Sequence, residues 1–351
     1  MRAFTNILLV FLFTACTSVP DERMTSYVDF PETRELTART LSLDSALFRY
    51  PYRVRVQDDK AVVLDLHGTE YFFHAFHYPG FHYLSSFGKR GDAPEEMLSA
   101  ENLRWNGNFL WTLDSNKSEL TRLGFASSGD SLLRLEAVSL DEELLRALDF
   151  VQYDDSTFII PDYSGDGRFC LVSRQGKLLR KIGTVPTANE DALKSARPAL
   201  AQAWRSFIDY NPCNGVLAAA TQLGEVLEIY NLKDSTHIVR IGPNGEPEFQ
   251  ISQGYGIPIG IMGFSDIQVT DSAIYVVFQG RAFKDIMQKA QQGINLPDGG
   301  QNIYVFSLEG KPLRKYVLDH YIHGISVDEQ KGIIIATDVN KDEPIIEYKL
   351  L

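Results

Sequence analysis

The stretch RVRVQDDKAVVLD (53–65) sets two short β-type runs around an Asp-Asp turn, and the pattern returns five more times along the chain. A tight turn between two β-branched or aromatic runs is a hairpin signal. The later copies are NLRWNGNFLWTLD (102–114), FVQYDDSTFIIPD (150–162), FIDYNPCNGVLAAA (207–220), DIQVTDSAIYVVF (266–278) and GISVDEQKGIIIATD (324–338). Their first buried positions align as Val54, Leu103, Val151, Ile208, Ile267 and Ile325, spaced 49, 48, 57, 59 and 58 residues apart. Near-regular repeats of this length, each one small sheet, define a propeller. The expected fold class is therefore all-β: a six-bladed β-propeller with two short helical insertions.

The long spacings need insertions. Residues 188–204 (ANEDALKSARPALAQAW) read as a helix with an interior Pro198, between the third and fourth blades. Residues 282–292 (AFKDIMQKAQQ) read as a second helix inside the fifth, ahead of the loop NLPDGG. The Gly- and Pro-rich run GPNGEPEFQISQGYGIPIG (242–260) fills the remaining gap. The sixth unit ends two or three strands in, at IIEYKLL, and the alternating segment ELTARTLSLD (35–44) is placed to complete it. That pairing would close the ring and remove its open edges.

The start of the chain speaks to location. Arg2 precedes ILLVFLF (7–13), an apolar run of signal-peptide length and too short to span a bilayer. Thr14, Ala15 and Cys16 follow, resembling a bacterial lipobox in which the cysteine is lipidated and becomes the mature N-terminus; Phe13 stands where that motif usually has Leu. The alternative is an ordinary signal peptide cut near Ala15. The expected organisation is a lipoprotein signal peptide (1–15), a polar tether (16–34) carrying Pro20 and Pro31, and a propeller (35–351). The expected location is the bacterial cell envelope, at the outer membrane.

Net charge is −12, and −13 once Arg2 is removed with the leader. An acidic surface repels phosphate backbones, which argues against nucleic acid as a partner. Cys170 lies in an apolar run and Cys213 in a turn, so both read as free thiols.

Three segments carry a family resemblance: SFGKRGDAPEEM (86–97), YVVFQGR (275–281) and HGISVDEQKGIIIATDVNKDEPIIEYKL (323–350). They resemble the TolB-like six-bladed propeller lipoproteins of Bacteroides and relatives, in the BF3164-like group. The first departs from that group's interblade loop at Asp92, Ala93, Glu95 and Met97. The resemblance implies an envelope lipoprotein with a peptide, glycan or protein partner.

Motifs for chemistry are sparse. His67, His74, His77 and His82 are four of seven histidines within sixteen residues. Clustered His suits a metal, but residues three apart on a strand face opposite ways, so packing or surface roles are expected. Asp162-Tyr-Ser164-Gly-Asp166-Gly167 opens like a calcium loop, yet Ser173 stands where the bidentate Glu belongs; a hairpin turn accounts for the same residues. No metal ligands, catalytic residues or cofactor are assigned, although a divalent cation is left open.

Propeller ligands commonly sit at a channel mouth, where polar groups converge. The residues just ahead of the six openings include Tyr52, Arg53, Glu101, Asn102, Asp149, Arg205, Asp266 and His323, a mixed polar ring offered as the ligand-binding set. The leading expectation is a non-enzymatic binding module. The rival is a hydrolase or lyase acting on a sugar or lactone through Asp149, Asp266, Glu101 or His323, aided by a divalent metal.

Overall fold

The computed structural model describes residues 22–44 and 48–350. The expected signal peptide and Cys16 lie outside the described residues. Six small sheets follow one another in chain order. Blade 1 is Pro51–Gln57, Lys60–Asp65, Tyr71–His77 and His82–Lys89. Blade 2 is Leu103–Asn106, Phe109–Asp114, Glu119–Phe125 and Leu132–Ser139. Blade 3 is Val151–Asp154, Thr157–Pro161, Phe169–Ser173 and Leu178–Ile182. Blade 4 is Ser206–Asn211, Val216–Thr221, Val226–Asn231 and Thr236–Ile241. Blade 5 is Phe264–Val269, Ala273–Phe278, Gly300–Ser307 and Pro312–Ile322. Blade 6 is Ile325–Asp328, Ile333–Thr337 and Ile345–Lys349, completed by Arg39–Thr40 from the other end of the chain.

The second strand of each blade explains how the ring is held. These strands are apolar almost throughout because both faces are covered, and alternate side chains go to opposite neighbours. In blade 5, Ile274 and Val276 pack toward blade 4, whereas Tyr275 and Val277 pack toward blade 6. In blade 1, Ala61 and Val63 join blade 6, and Val62 and Leu64 join blade 2. The core is thus a set of interblade layers rather than one central mass. All six aligned positions, Val54 to Ile325, are at most 2% exposed. Tight turns link the first two strands: Asp58 (φ 52°) and Gly107 (φ 53°) take the left-handed conformation that two-residue hairpins demand.

Closure comes as expected from the N-terminal side. Thr40 pairs with Ile346 and Arg39 with Glu347, and the Leu41 N–H donates to the Ile345 carbonyl. The expected tether, however, is largely a strap. Glu22–Ser26 runs parallel to the outermost strand of blade 4, and Thr33–Leu36 runs parallel to that of blade 5. Between them Phe30 packs on Tyr304 and Phe306, and Tyr27 donates to Glu225 Oε1 at 2.6 Å. A polar sequence suits these strands because one flank of the fifth strand faces solvent.

The insertions also sharpen. Residues 188–204 form two helices, α1 (Glu190–Ser195) and α2 (Arg197–Ala203), with Pro198 in the first turn of the second. Proline lacks the N–H an interior helical position needs, so the chain breaks there. The second insertion is α3 (Phe283–Gln291). The run 242–260 contains a hairpin, Phe249–Ser252 with Tyr255–Pro258, that the sequence reading did not anticipate. No helix among the described residues is long and apolar enough to cross a membrane.

Phe30→Ala should lower unfolding stability by about 3 kcal/mol and speed tryptic cleavage at Arg34. Denaturant unfolding and limited proteolysis check this; a variant as stable and resistant as the parent would restore the free tether.

Candidate functional site

The innermost strands start on one face of the ring, the head face, and end on the other, the tail face. Within the channel between the two faces, charged side chains from different blades meet. Asp266 Oδ1 accepts from Arg53 Nε and Arg55 Nη2, each at 2.9 Å; its Oδ2 accepts from Arg55 Nη1 and the Ile325 N–H, also at 2.9 Å. Asp149 accepts from Asn102 Nδ2 at 2.6 Å, Arg104 Nη2 at 3.0 Å and the Ile208 N–H at 2.9 Å. Arg104 Nη1 continues to Asp209 Oδ1 at 2.5 Å, and Asp209 Oδ2 takes the Val269 N–H at 2.7 Å. Each carboxylate therefore bonds to the next blade's innermost strand.

Burial alone would raise the Asp266 carboxyl, but the Arg53 and Arg55 guanidiniums outweigh it and hold the group well below the usual range. Burial pushes Asp209 up, against the pull of Arg104.

The expected ligand ring is thus brought together in part, with half of it buried rather than set at the mouth. Arg53, Asn102, Asp149 and Asp266 are at most 1% exposed and bonded to one another or to backbone. They are an internal seam, not an open rim. Tyr52, Glu101, Arg205 and His323 lie nearer the head face. There the Tyr50 hydroxyl meets Asp298 and His323 Nε2 (3.1 Å), and His323 Nε2 lies 3.3 Å from Asp298 Oδ1. Glu101 accepts from Ser115 at 2.5 Å, and the Arg205 guanidinium lies 5.8 Å from the Tyr163 ring. Asp298 comes from the NLPDGG loop and Tyr50 precedes the first opening, so neither stood out in the sequence.

An open cavity of about 450 Å³ lies at the opposite mouth. Every innermost strand contributes to its lining, and a polar residue at the same position of each does so: Arg55, Arg104, Gln152, Asp209, Gln268 and Ser326. Each directly follows the aligned buried aliphatic of its blade, since adjacent residues of a strand face opposite ways. Trp105, Tyr153 and Tyr210 add aromatic surface, Gln57, Asn106 and Asp154 come from the strand ends, and Asp155 comes from a hairpin turn. The ring also joins blades: Gln268 donates to the Val327 carbonyl and accepts its N–H, and Ser326 Oγ accepts the Val56 N–H.

The other sequence candidates resolve into structure. His74 bonds Ser86 at 2.8 Å, and burial holds its pKa below normal. His77 lies beside Asp59, His82 beside Asp44, and His67 packs on Tyr50. The four therefore have four different partners. Asp162 takes the Ser164 and Gly167 N–H groups of its own turn, and Lys181 stands 3.5 Å away. Asp65 and Asp114 end the same strand in blades 1 and 2 and likewise capture incoming backbone, at Tyr50 and Leu98. Cys170 and Cys213 are free; burial and nearby Asp162 push the Cys170 thiol up to about 12.

Asp266→Asn should cost about 3 kcal/mol, because two arginines keep their burial and lose their counter-charge. A carboxyl depressed in the fold adds stability above its unfolded pKa of about 3.9, and that stability is lost as pH falls below it toward the folded value. Unfolding midpoints at neutral and acid pH should therefore drop more steeply in the parent than in the variant; parallel curves would remove Asp266 from this role.

The family model described as TolB-like 6-blade propeller-like matches residues 29–330. No curated protein sequence matches significantly. Among solved structures, a candidate exported protein from Bacteroides fragilis superposes with a TM-score of 0.56 at 11% identity, covering 93% of this chain and 98% of that one. A DUF4221 family member from Bacteroides vulgatus gives 0.54 at 10% identity, covering 90% and 96%. An auxiliary nutrient binding protein from Bacteroides ovatus gives 0.53 at 10% identity, covering 87% and 70%.

Proposed function

The chain belongs to the TolB-like six-bladed propeller family, and from that premise we propose that it is an exported, non-enzymatic binding module whose ligand enters the tail-face cavity. The observation that carries this reading is the ring of six polar residues, one per blade, around that cavity. Beneath it, Asp149 and Asp266 are bonded to arginine and backbone, an arrangement suited to holding the ring in place. Aromatic and polar groups converging on one concave site are what a ligand pocket requires.

Export is supported by the leader and by the likeness to the exported protein of Bacteroides fragilis, and binding by the likeness to the nutrient binding protein of Bacteroides ovatus. The interblade loop 86–97 supports membership of the BF3164-like group. In this reading Cys16 is lipidated and holds the ring at the outer membrane. Glu22 pairs with His237, at the tail-face end of blade 4. The six residues from Cys16 to Glu22 reach about 20 Å at most. The anchor therefore favours a tail mouth turned toward the bilayer.

Co-purification from the native envelope, followed by mass spectrometry, tests the reading. Trp105→Ala should cost at least about tenfold in recovered partner, as loss of an aromatic anchor does. Arg205→Ala, on the head face, should leave recovery unchanged. The opposite pattern would move the site to the head mouth.

A further inference from the structure

The tail-face cavity does not stand alone. A depression of about 300 Å³ on one side shares Gln57 and Trp105 with it. Another of about 320 Å³ on the other side shares Gln57, Gln268 and Ser326. The three form one groove that runs from between blades 1 and 2, over the channel mouth, to blades 5 and 6. Its ends are unlike. Near Trp105 it is aromatic, with Phe125 stacked on the indole at 6.3 Å and Phe109 exposed beside it. Across the channel it is acidic.

Charge along the groove is unbalanced. Lys60 is paired with Asp59 and Lys331 with Asp328. Arg55 and Arg104 are engaged by Asp266, Asp149 and Asp209. Asp58, Asp154, Asp155, Asp271 and Glu329 line the same groove and form no salt bridge among the described residues, Asp58 feeling only the field of Lys331. The cavity wall also holds two buried polar atoms that no described residue bonds. The Arg104 side chain is nine-tenths buried and its Nε has no hydrogen-bond partner; Gln152 Oε1, in the same wall, has none either. One is a donor in want of an acceptor and the other an acceptor in want of a donor.

We infer that the groove takes an extended, positively charged peptide segment, an inference that rests on the binding reading above and names its ligand class. A peptide backbone carries carbonyl and N–H groups in alternation, which suits the polar side chains that wall the cavity from every blade. Lysine or arginine side chains neutralise the five carboxylates and stack on Trp105. A neutral glycan leaves those charges unmatched, and an acidic one is repelled by them.

Selection of a phage-displayed random dodecapeptide library on the whole protein tests this. The expected pools are enriched in lysine and arginine, and synthetic copies lose affinity when cut to dipeptides. Raising salt from about 50 mM to about 500 mM should weaken them at least severalfold. A variant carrying Asp58→Asn, Asp155→Asn and Glu329→Gln should bind at least about tenfold more weakly. Asn tolerates the left-handed turn at position 58, and a denaturant curve verifies the variant's fold. Neutral or acidic pools, no enrichment, dipeptides that bind equally well, or a neutral oligosaccharide bound at Trp105 in an array would each overturn the peptide assignment. The envelope capture comparing Trp105→Ala with Arg205→Ala stays separate: it can succeed while the peptide class fails, and a failure there moves the site itself.

Discussion

Asp266, gripped by Arg53 and Arg55 in the middle of the ring, is the contact on which the rest of the structure turns. Arg53 comes from the first blade and Asp266 from the fifth, 213 residues later. Burying such charges is costly, and exchanging the pair for apolar groups is often neutral or stabilising in proteins. What the pairing contributes here is geometry. Each of Asp149, Asp209 and Asp266 also accepts the backbone N–H of a residue 59 or 60 positions further on, so the same device recurs from blade 3 to 4, 4 to 5 and 5 to 6. Between blades 6 and 1, Ser326 and Thr337 accept and donate across the joint.

On the two sides of that seam the mouths are unlike. The head side carries α1, α2, α3 and the 249–258 hairpin, because interblade connections and the loops between second and third strands emerge there. The tail side carries short hairpin turns, which leave the channel mouth open and give the groove its acidic rim. The strap enters at blade 4, covers blade 5 and ends in blade 6, tying the expected anchor to the joint that closes the ring.

Much of this was legible in the sequence for a physical reason. A strand buried on both faces must be apolar throughout, and a tight hairpin must offer Asp, Asn or Gly, so each blade announces itself. The aligned aliphatics also mark the cavity ring: Arg55, Arg104, Gln152, Asp209, Gln268 and Ser326 each follow one. The residues ahead of the openings were chosen instead, and those proved to include the buried seam, because one sequence does not reveal that Arg53 finds Asp266 across the channel. Strap strands such as TREL escaped notice because they show solvent a polar flank. The hairpin in 242–260 escaped because its Gly and Pro content reads as loop.

Hydrogen–deuterium exchange on the protein with and without its envelope-captured partner tests the central claim most directly. Protection is expected in the turns 57–60, 106–109 and 154–157, with segments 48–52 and 203–206 unchanged. Protection confined to those head-face segments would contradict it.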